Sequence, residues 1–371
     1  MRLKVWKTSR PFVVKAATVV FAASLGLCGA VHAQEKEKFV FAMPNAMNVA
    51  LGPFVFAQEL GYFSEENLAL EEPFPVLTGA ALILPQLANG SIDSVFMTLE
   101  PLILTKQPGA PNFDYKYAYN YARGSVYEFV VLDESPIKTV ADIAGKTMGV
   151  GGLTWGNVAG AKGVLVSEGV SLDSVTLAAV GDGAAALEAL KSGQIDVLNM
   201  YDTKNVQFEQ TGVKLRRIPL PDWYAKHSSN ALPFTSKFIA EHPDKIGRFG
   251  RALSKGFVAC EAAVENCIRS VWKRFPDVAP AADRAEAALT ISRAILEAKF
   301  KSWLVFPEGE PRRYGSFSND DFTGVIRSLS VAGLATKTDI PLETLYTNEF
   351  VDEFNAFDID EVIAEAKAYR P

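Results

Sequence analysis

The stretch GAALILPQLANGSIDSVFM, residues 79–97, has a close counterpart in GAAALEALKSGQIDVLNM, residues 183–200. Aligning Gly90 with Gly193, 103 residues further on, also superposes the Ile-Asp pair that follows and the leucines that precede. Each copy has the pattern of an amphipathic helix, a glycine that ends it in the left-handed conformation, and a buried strand. Two such units predict two similarly built α/β lobes, although the same pattern also recurs by chance in α/β proteins.

Length and composition agree with a two-domain globular protein. The chain has 371 residues, which is longer than a chain that folds around a single hydrophobic core usually is. Two domains are therefore expected. Hydrophobic residues make up 49% and charged residues 22% of the chain, which is ordinary for a soluble protein.

The first 33 residues have the anatomy of a secretory signal peptide. Five Lys or Arg side chains and no acidic one precede an apolar run over residues 16–31, which ends in Val-His-Ala. The run is short and rich in small residues, which disfavours a membrane span. Lipid attachment at Cys28 is disfavoured because the residue before it, Leu27, is bulky. We therefore expect cleavage after Ala33 and a periplasmic location.

Removal of this leader would make the formal net charge of −6 more negative by five, because it contains only basic charges. An acidic surface argues against nucleic acid as a partner. We expect a monomer that binds a small molecule.

Strand and helix patterns alternate through most of the chain. This alternation predicts a largely parallel sheet in each lobe, with hinge segments near residues 123–125 and 226–230. The predicted strands are 39–43, 68–71, 115–121, 127–132, 147–150, 175–180 and 215–218, and the predicted helices include 53–60, 157–168, 203–210 and a long one at 243–265.

The ordered motifs of the chain resemble the solute-binding proteins of bacterial ABC importers, in the nitrate/sulfonate/taurine branch and the related thiamine-pyrimidine-precursor binders. The motifs that carry the resemblance are FAQELGYF (56–63), TGA…LANGSID (78–93), IKTVADIAGK (137–146) and AL…LKSGQID (186–196).

The resemblance implies an α/β fold like that of the type II periplasmic binding proteins, with two lobes joined by two hinge crossings. Residues 39–123 and 230–371 would form lobe 1, and residues 124–229 would form lobe 2. The ligand would lie in the cleft between the lobes, and the loaded protein would dock on an ABC permease in the inner membrane.

The position of the ligand can be inferred separately from the carboxyl ends of the strands, where helix N-termini also gather. These strand ends, the loops after them and the first hinge contain the candidate ligand-binding residues: Asn45, Met47, Asn48, Thr78, Thr98, Glu100, Arg123, Thr154, Trp155, Tyr201, Asp202 and Asn205.

Several candidates have a purely structural alternative. Tyr201 and Asp202 are the strongest pair, since two polar groups at a strand end are costly to bury without partners. Trp155 is either an aromatic platform for the ligand or core filling. Thr78 and Thr98 either contact the ligand or cap helices.

The residues leave the ligand's chemistry open. Arg123 is either an anion clamp for a carboxylate or sulfonate or a surface charge. Glu100 and Asp202 would suit an amine or a ring N–H, and the aromatic side chains would suit a planar group. The histidine-rich helix start of the pyrimidine-precursor binders is absent, since Ala-Leu-Gly-Pro occupies residues 50–53.

An enzyme related to thiamine-pyrimidine synthases is the rival interpretation, and a ligand-presenting partner of a receptor is a third. The chain has three histidines, at 32, 227 and 242, and no Cys-x-x-Cys, Gly-x-Ser-x-Gly or phosphate-binding loop. We therefore expect a binding protein without catalytic residues, metal or cofactor.

Cys260 and Cys267 remain in the mature chain, and an exported protein can join them. On one straight helix the seven-residue separation corresponds to a rise of about 10.5 Å, too far for a disulfide. A corner between two helices near Cys260 would permit the bond, and two buried free thiols are the alternative.

Overall fold

The computed structural model describes residues 35–111, 113–225 and 227–371. The expected signal peptide, residues 1–33, lies outside the described residues, as does Lys226 in the second expected hinge. The strands are β1 (Glu37–Phe39), β2 (Phe41–Ala42), β3 (Leu68–Leu70), β4 (Ser94–Val95), β5 (Met97–Thr98), β6 (Tyr115–Ala122), β7 (Tyr127–Leu132), β8 (Thr147–Val150), β9 (Thr176–Ala179), β10 (Val197–Tyr201), β11 (Leu215–Arg217) and β12 (Asn230–Thr235).

Helices fill most of the intervening segments. They are α1 (Gly52–Glu59), α2 (Tyr62–Glu65), α3 (Ala80–Ala88), α4 (Glu100–Thr105), α5 (Gly156–Ser167), α6 (Ala184–Lys191), α7 (Asp202–Glu209), α8 (Asp222–Ala225), α9 (Ser236–Glu241), α10 (Pro243–Ala262), α11 (Val264–Arg274), α12 (Ala285–Trp303), α13 (Asn319–Val331), α14 (Val351–Phe354) and α15 (Ile359–Ala368). The predicted bounds of β7 and β8 are confirmed to the residue, and most other elements agree within two residues.

The described strands form four sheets with as many antiparallel as parallel pairs, which corrects the expectation of largely parallel sheets. Two of the sheets have two strands each, β1-β3 and β2-β4, and both are parallel. A five-stranded sheet has the order β11-β7-β10-β8-β9, and β7 runs antiparallel to both of its neighbours. A three-stranded sheet has the order β5-β12-β6, with both pairs antiparallel. β7 and β12 each follow a crossing between the three-stranded and the five-stranded sheet, and each runs antiparallel to its neighbours.

Both copies of the repeat fold as predicted. α3 and α6 each lead to a left-handed glycine, Gly90 (φ +74°) and Gly193 (φ +73°), and then to β4 and β10 respectively. The strands begin one residue after the aspartate of each copy, rather than at the Ile-Asp pair as expected.

The two aspartates make the same contacts. Asp93 accepts the backbone N–H of Val40 through Oδ2 at 2.8 Å and donates its own N–H to the Val40 carbonyl at 2.8 Å. Asp196 makes the same two contacts with Thr147, both at 2.8 Å. Each aspartate therefore fixes the parallel pairing of its strand with the neighbouring one.

The largest hydrophobic core lies around α1 and α10. The Phe39 and Phe249 rings stack at 4.2 Å between centroids, and those of Phe41 and Phe54 at 5.1 Å. Gly256 lets α10 approach α1 closely, because a Cβ atom there would lie 2.3 Å from the Pro53 carbonyl oxygen. This packing carries the segment after Ala42 to the edge of the sheet where the candidate site lies.

The predicted helix over residues 243–265 is broken at Ala263, which has non-helical backbone angles between α10 and α11. The corner brings the Cα atoms of Cys260 and Cys267 to 5.1 Å, and the structure joins them by a disulfide. Both cysteines are fully buried, next to Gly52 at the start of α1. The bond therefore joins α10 to α11, and the start of α1 packs against it.

We predict that the isolated mature protein contains no free thiol. A bond that closes so short a loop contributes roughly 2 kcal/mol to the free energy of unfolding in the chain-entropy description. The Cys260→Ser/Cys267→Ser variant should therefore melt several degrees lower than the wild type. Mass spectrometry of the alkylated protein with and without reduction measures the bond, and labelling of both cysteines before reduction would contradict it.

Candidate functional site

A cavity of about 130 Å³ lies where the carboxyl ends of strands from both sheets meet. α3, α5 and α7, each at least eight residues long, begin at its wall with Ala80, Gly156 and Thr203 among the lining residues. Six predicted site residues line it: Asn45, Asn48, Thr78, Thr98, Trp155 and Tyr201.

Thr98 and Tyr201 end the strands that follow the two repeat units, and both line the cavity. Thr98 supports the start of α5, since a Cβ atom on Gly156 would lie 2.0 Å from its Oγ1. The Tyr201 hydroxyl donates to Asp182 Oδ2 at 3.1 Å, and its ring meets the Tyr127 ring edge-on at 6.5 Å. Thr98 and Tyr201 occupy equivalent positions of the two copies, so the cavity is lined at a position where the copies carry different side chains.

Trp155 packs against the core and also lines the cavity. Its ring covers the turn before α5, because a Cβ atom on Gly151 would lie 2.3 Å from the ring and one on Gly152 2.9 Å. The half-buried ring packs against the core of the five-stranded sheet and also lines the cavity. Two consecutive glycines are what allow this side chain to lie flat over the backbone.

Thr78 and Thr98 do not cap helices. The Thr78 hydroxyl donates to the Pro44 carbonyl at 2.9 Å, and neither α3 nor α4 has a side-chain cap. Asn48 does cap a short 3₁₀ turn, accepting the Ala50 N–H at 3.0 Å.

Lys299 of α12 is the cavity residue with the greatest chemical consequence, and the sequence analysis missed it. The side chain is fully buried, and its Nζ donates to the Tyr121 hydroxyl at 2.9 Å. The same Nζ lies 3.2 Å from the centroid of the Trp303 ring and 4.7 Å from that of Tyr121. Burial holds the pKa of Lys299 well below the usual value for lysine.

Two further polar atoms at the cavity have no hydrogen-bond partner among the described residues. They are Nε1 of Trp303, a donor, and Oδ1 of Asn230, an acceptor, and both are buried. Buried polar atoms are normally paired, so unpaired ones in a cavity wall are the groups that a ligand would satisfy.

Asp202 lies behind the cavity wall rather than in it. It accepts hydrogen bonds from the Ser302 hydroxyl and, at 2.6 Å, from the Thr203 N–H, and it is 6% exposed. Burial raises the pKa of Asp202 to about 7, and the hydrogen bond from Ser302 lowers it in part. Ser302, which donates to Asp202, lies three residues after Lys299 on the same face of α12. The Asp202 charge therefore acts on Lys299 and raises its pKa in part.

Glu100 and Asn205 are also buried outside the cavity lining. Burial raises the pKa of Glu100, whose Oε2 has no partner among the described residues. Asn205 donates to Glu128 Oε2 at 2.9 Å and to the Met200 carbonyl at 3.2 Å. Both side chains turn into the protein because the helices that begin at residues 100 and 202 direct them away from the cavity.

Arg123, Thr154 and Met47 do not line the cavity either. Arg123 donates to the carbonyls of Val305 (2.8 Å) and Ser316 (2.7 Å), and its guanidinium lies 4.7 Å from the Phe306 ring centroid. It therefore ties the segment expected to form the first hinge to the C-terminal region, so it is not a free surface charge. Thr154 is exposed at the rim near Gly79, and Met47 packs on the main core.

The electropositive groups at the cavity are one amine and three helix N-termini. Among the described lining residues there is one ionisable amine, Lys299, and no Asp, Glu, His or Cys. The N-termini of α3, α5 and α7 add partial positive charge at the same place. The aromatic rings supply flat apolar surface for the rest of a ligand.

The family model described as NMT1/THI5 like matches residues 48–265, more than half of the chain, and the chain belongs to this family. This confirms the resemblance found in the sequence. No curated protein matches the chain.

Solved structures are similar to this one. The alkanesulfonate-binding protein SsuA from Xanthomonas axonopodis pv. citri, bound to MOPS, has a TM-score of 0.63 at 14% identity, covering 85% of this chain and all of its own. The periplasmic aliphatic sulphonate binding protein SsuA from Escherichia coli has a TM-score of 0.60 at 15% identity, covering 82% and 89%. A Candida albicans protein with the generic periplasmic binding protein fold has a TM-score of 0.57 at 14% identity, covering 86% and 94%. The chain therefore has the α/β periplasmic-binding-protein fold.

The described residues offer neither a metal-binding cluster nor a membrane-spanning helix. They contain no cluster of three or more metal-ligating side chains. None of their helices is long and apolar enough to cross a membrane.

We predict that Asp202→Asn changes the pH dependence of stability. The folded protein binds this proton more tightly than the unfolded chain, so Asp202 lowers the free energy of unfolding as pH rises from about 4 to about 7. The Asn variant should lack that decline and gain up to about 4 kcal/mol over the wild type near pH 7.

Urea unfolding across this pH range measures the effect. The exposed Asp133, replaced by Asn in the same way, is the control and should keep the wild-type profile. A wild-type decline that persists in Asp202→Asn would contradict the assignment.

Proposed function

We propose that the protein is the periplasmic solute-binding component of an ABC importer and that it captures a small organic anion with a planar or apolar body. The observation that carries the proposal is the fully buried Lys299 at the cavity wall, beside the unpaired indole Nε1 of Trp303. A sulfonate or carboxylate would accept from both donors, and charge-assisted hydrogen bonds of this kind are strong.

The fold and the relatives support the same proposal. Two of the similar structures are described as sulfonate-binding proteins, one of them bound to MOPS, which carries a sulfonate. We propose the lobes as residues 39–123 with 230–371 and residues 124–229, hinged on either side of the cavity. The leader, the periplasmic location, the monomeric state and the permease partner belong to this proposal.

Binding of an anion would protonate Lys299. Burial favours the neutral amine, whereas a negative charge beside it would favour the ammonium form. The cost of burying the amine is therefore offset only when the ligand is present, which makes the cavity selective for anions over neutral molecules.

An enzyme on this fold is the alternative. One observation favours it: a buried amine held neutral is also a nucleophile. A binding protein releases its ligand unchanged, so chemical analysis of the recovered ligand separates the two functions.

We predict that organic sulfonates or aromatic carboxylates raise the melting temperature of the mature protein, since a ligand that binds only the folded state stabilises it. A thermal-shift screen of sulfonates, aromatic carboxylates, pyrimidines and nitrate identifies the best one. Lys299→Met should weaken its binding by a factor of about ten to a hundred, the range for a hydrogen bond to a charged group.

Lys301→Met provides a matched control, because Lys301 is exposed on the same helix. Its affinity should equal that of the wild type.

The affinity of the wild type should also fall as pH rises, and calorimetry in buffers of different ionisation enthalpy should show proton uptake on binding. Equal binding by Lys299→Met, or binding of uncharged pyrimidines alone, would contradict the proposal, and turnover of the ligand would favour the enzyme.

A further inference from the structure

The wall of the cavity that contains Lys299 offers a hydrogen-bond acceptor as well as donors. Oδ1 of Asn230 is buried and has no partner among the described residues. Asn45 and Asn48 also line the cavity, but their carbonyl oxygens already accept, from the Asn48 amide at 3.3 Å and from the Ala50 N–H at 3.0 Å. Of the described asparagines in the wall, Asn230 is therefore the one whose carbonyl oxygen is left for a ligand.

The position of Asn230 follows from the pairing of three strands. It is the first residue of β12, and it pairs with Thr98 and Ala122, the last residues of β5 and β6. The register of β12 against β6 shifts between Asn230 and Ala231, and an irregularity of this kind changes the direction of a side chain. The acceptor therefore lies where β12 meets the ends of its two neighbours.

The donors of the cavity lie at the same end of β6. Lys299 Nζ donates to the Tyr121 hydroxyl at 2.9 Å, and the Trp303 ring meets the Tyr121 ring edge-on at 4.5 Å between centroids. Tyr121 directly precedes Ala122, the partner of Asn230 in the sheet. A ligand that satisfies this wall therefore carries an acceptor and, close to it, a donor.

The ligand's donor is uncharged. Among the described lining residues there is no Asp or Glu, so an ammonium group would be buried beside Lys299 without a counter-charge. A hydroxyl or a ring N–H can donate to the Asn230 carbonyl oxygen without that cost.

The shape of the cavity favours a ring N–H over an aliphatic hydroxyl. Aromatic side chains make up much of the described wall, and their flat surfaces suit a planar ring better than a flexible chain. They are Phe96, Tyr121, Tyr127, Trp155, Tyr201 and Trp303.

We infer that Asn230 is a specificity-determining residue and that the solute is a planar heterocyclic acid whose ring N–H lies beside its anionic group. The anionic group accepts from Lys299 Nζ and Trp303 Nε1, and the ring N–H donates to Asn230 Oδ1. This inference rests on the proposed function and adds the substrate class to it.

Pyrrole-2-carboxylate and furan-2-carboxylate test the inference, because they share the carboxylate and nearly the same shape but differ in a ring N–H against a ring oxygen. The wild-type protein should bind pyrrole-2-carboxylate roughly ten- to a hundredfold more tightly, since the furan oxygen would leave Asn230 Oδ1 unpaired. Glycolate, which has the carboxylate and a neighbouring hydroxyl donor without the ring, should bind at least about tenfold more weakly than pyrrole-2-carboxylate. Isothermal titration calorimetry measures all three.

Asn230→Leu removes the acceptor and keeps a side chain of similar size. This variant should bind pyrrole-2-carboxylate and furan-2-carboxylate with equal affinity, because neither ring then finds an acceptor. Asn89→Leu makes the same substitution at an exposed position at the far end of α3 and should keep the wild-type preference. The pair of ring acids on the wild-type protein keeps the test decisive if Asn230→Leu does not fold.

The outcomes separate this inference from the proposed function. Equal affinity of the wild type for the two ring acids, or tighter binding of the furan, would overturn the role of Asn230 and leave the proposed function standing. A preference that persists in Asn230→Leu would do the same. Glycolate binding as tight as that of pyrrole-2-carboxylate, or binding of other organic anions but of neither ring acid, would overturn the heterocyclic substrate class. Absence of binding by every sulfonate and carboxylate would remove both proposals.

Discussion

Two aspartates hold paired strands beside the cavity through the same pair of backbone hydrogen bonds, and Asp93 also forms an ion pair with Lys245 at 3.6 Å. Asp93 and Asp196 each clamp the backbone of the neighbouring strand through one side-chain and one main-chain hydrogen bond. A strand slipped by one residue would turn its buried side chains to the other face, so the clamp also fixes which residues reach the strand end. Thr98 and Tyr201 come to the cavity wall for this reason.

The second constraint is electrostatic. α12 carries Lys299 into a fully buried position among Tyr121 and Trp303, where the neutral amine is favoured. A charge removed from water without a partner is strongly disfavoured, and the nearby Asp202 is itself shifted toward its neutral form. A buried basic group of this kind does not contribute to packing as well as an apolar residue would, and such groups are typical of functional sites. The same reasoning underlies the proposal of an anionic ligand at Lys299.

The sequence predicted the fold well where a pattern is local. Helices, left-handed glycines and strands of both repeats follow from short-range signals, and the Gly-rich turn identified Trp155 as a residue at the cavity. Half of the predicted site residues line the cavity. Those that do not, such as Glu100, Asp202 and Asn205, lie at the right strand ends but point away from the cavity, because the direction of a side chain in the first turn of a helix depends on how that helix packs. The prediction of largely parallel sheets failed for a similar reason, because no local signal shows that β7 and β12 run antiparallel to their neighbours.

The sequence by itself therefore determined the class of fold, the two duplicated units and the strand ends from which the cavity is built, because each depends on hydrophobic spacing and on turn residues within some twenty positions. Only the tertiary structure decided the chemistry of the site. Lys299 and Trp303 lie in an ordinary amphipathic helix, about a hundred residues after Tyr201, and no local signal distinguishes Lys299 from the exposed Lys301. What separates the two lysines is burial, which arises only when α12 packs across the strand ends and α7.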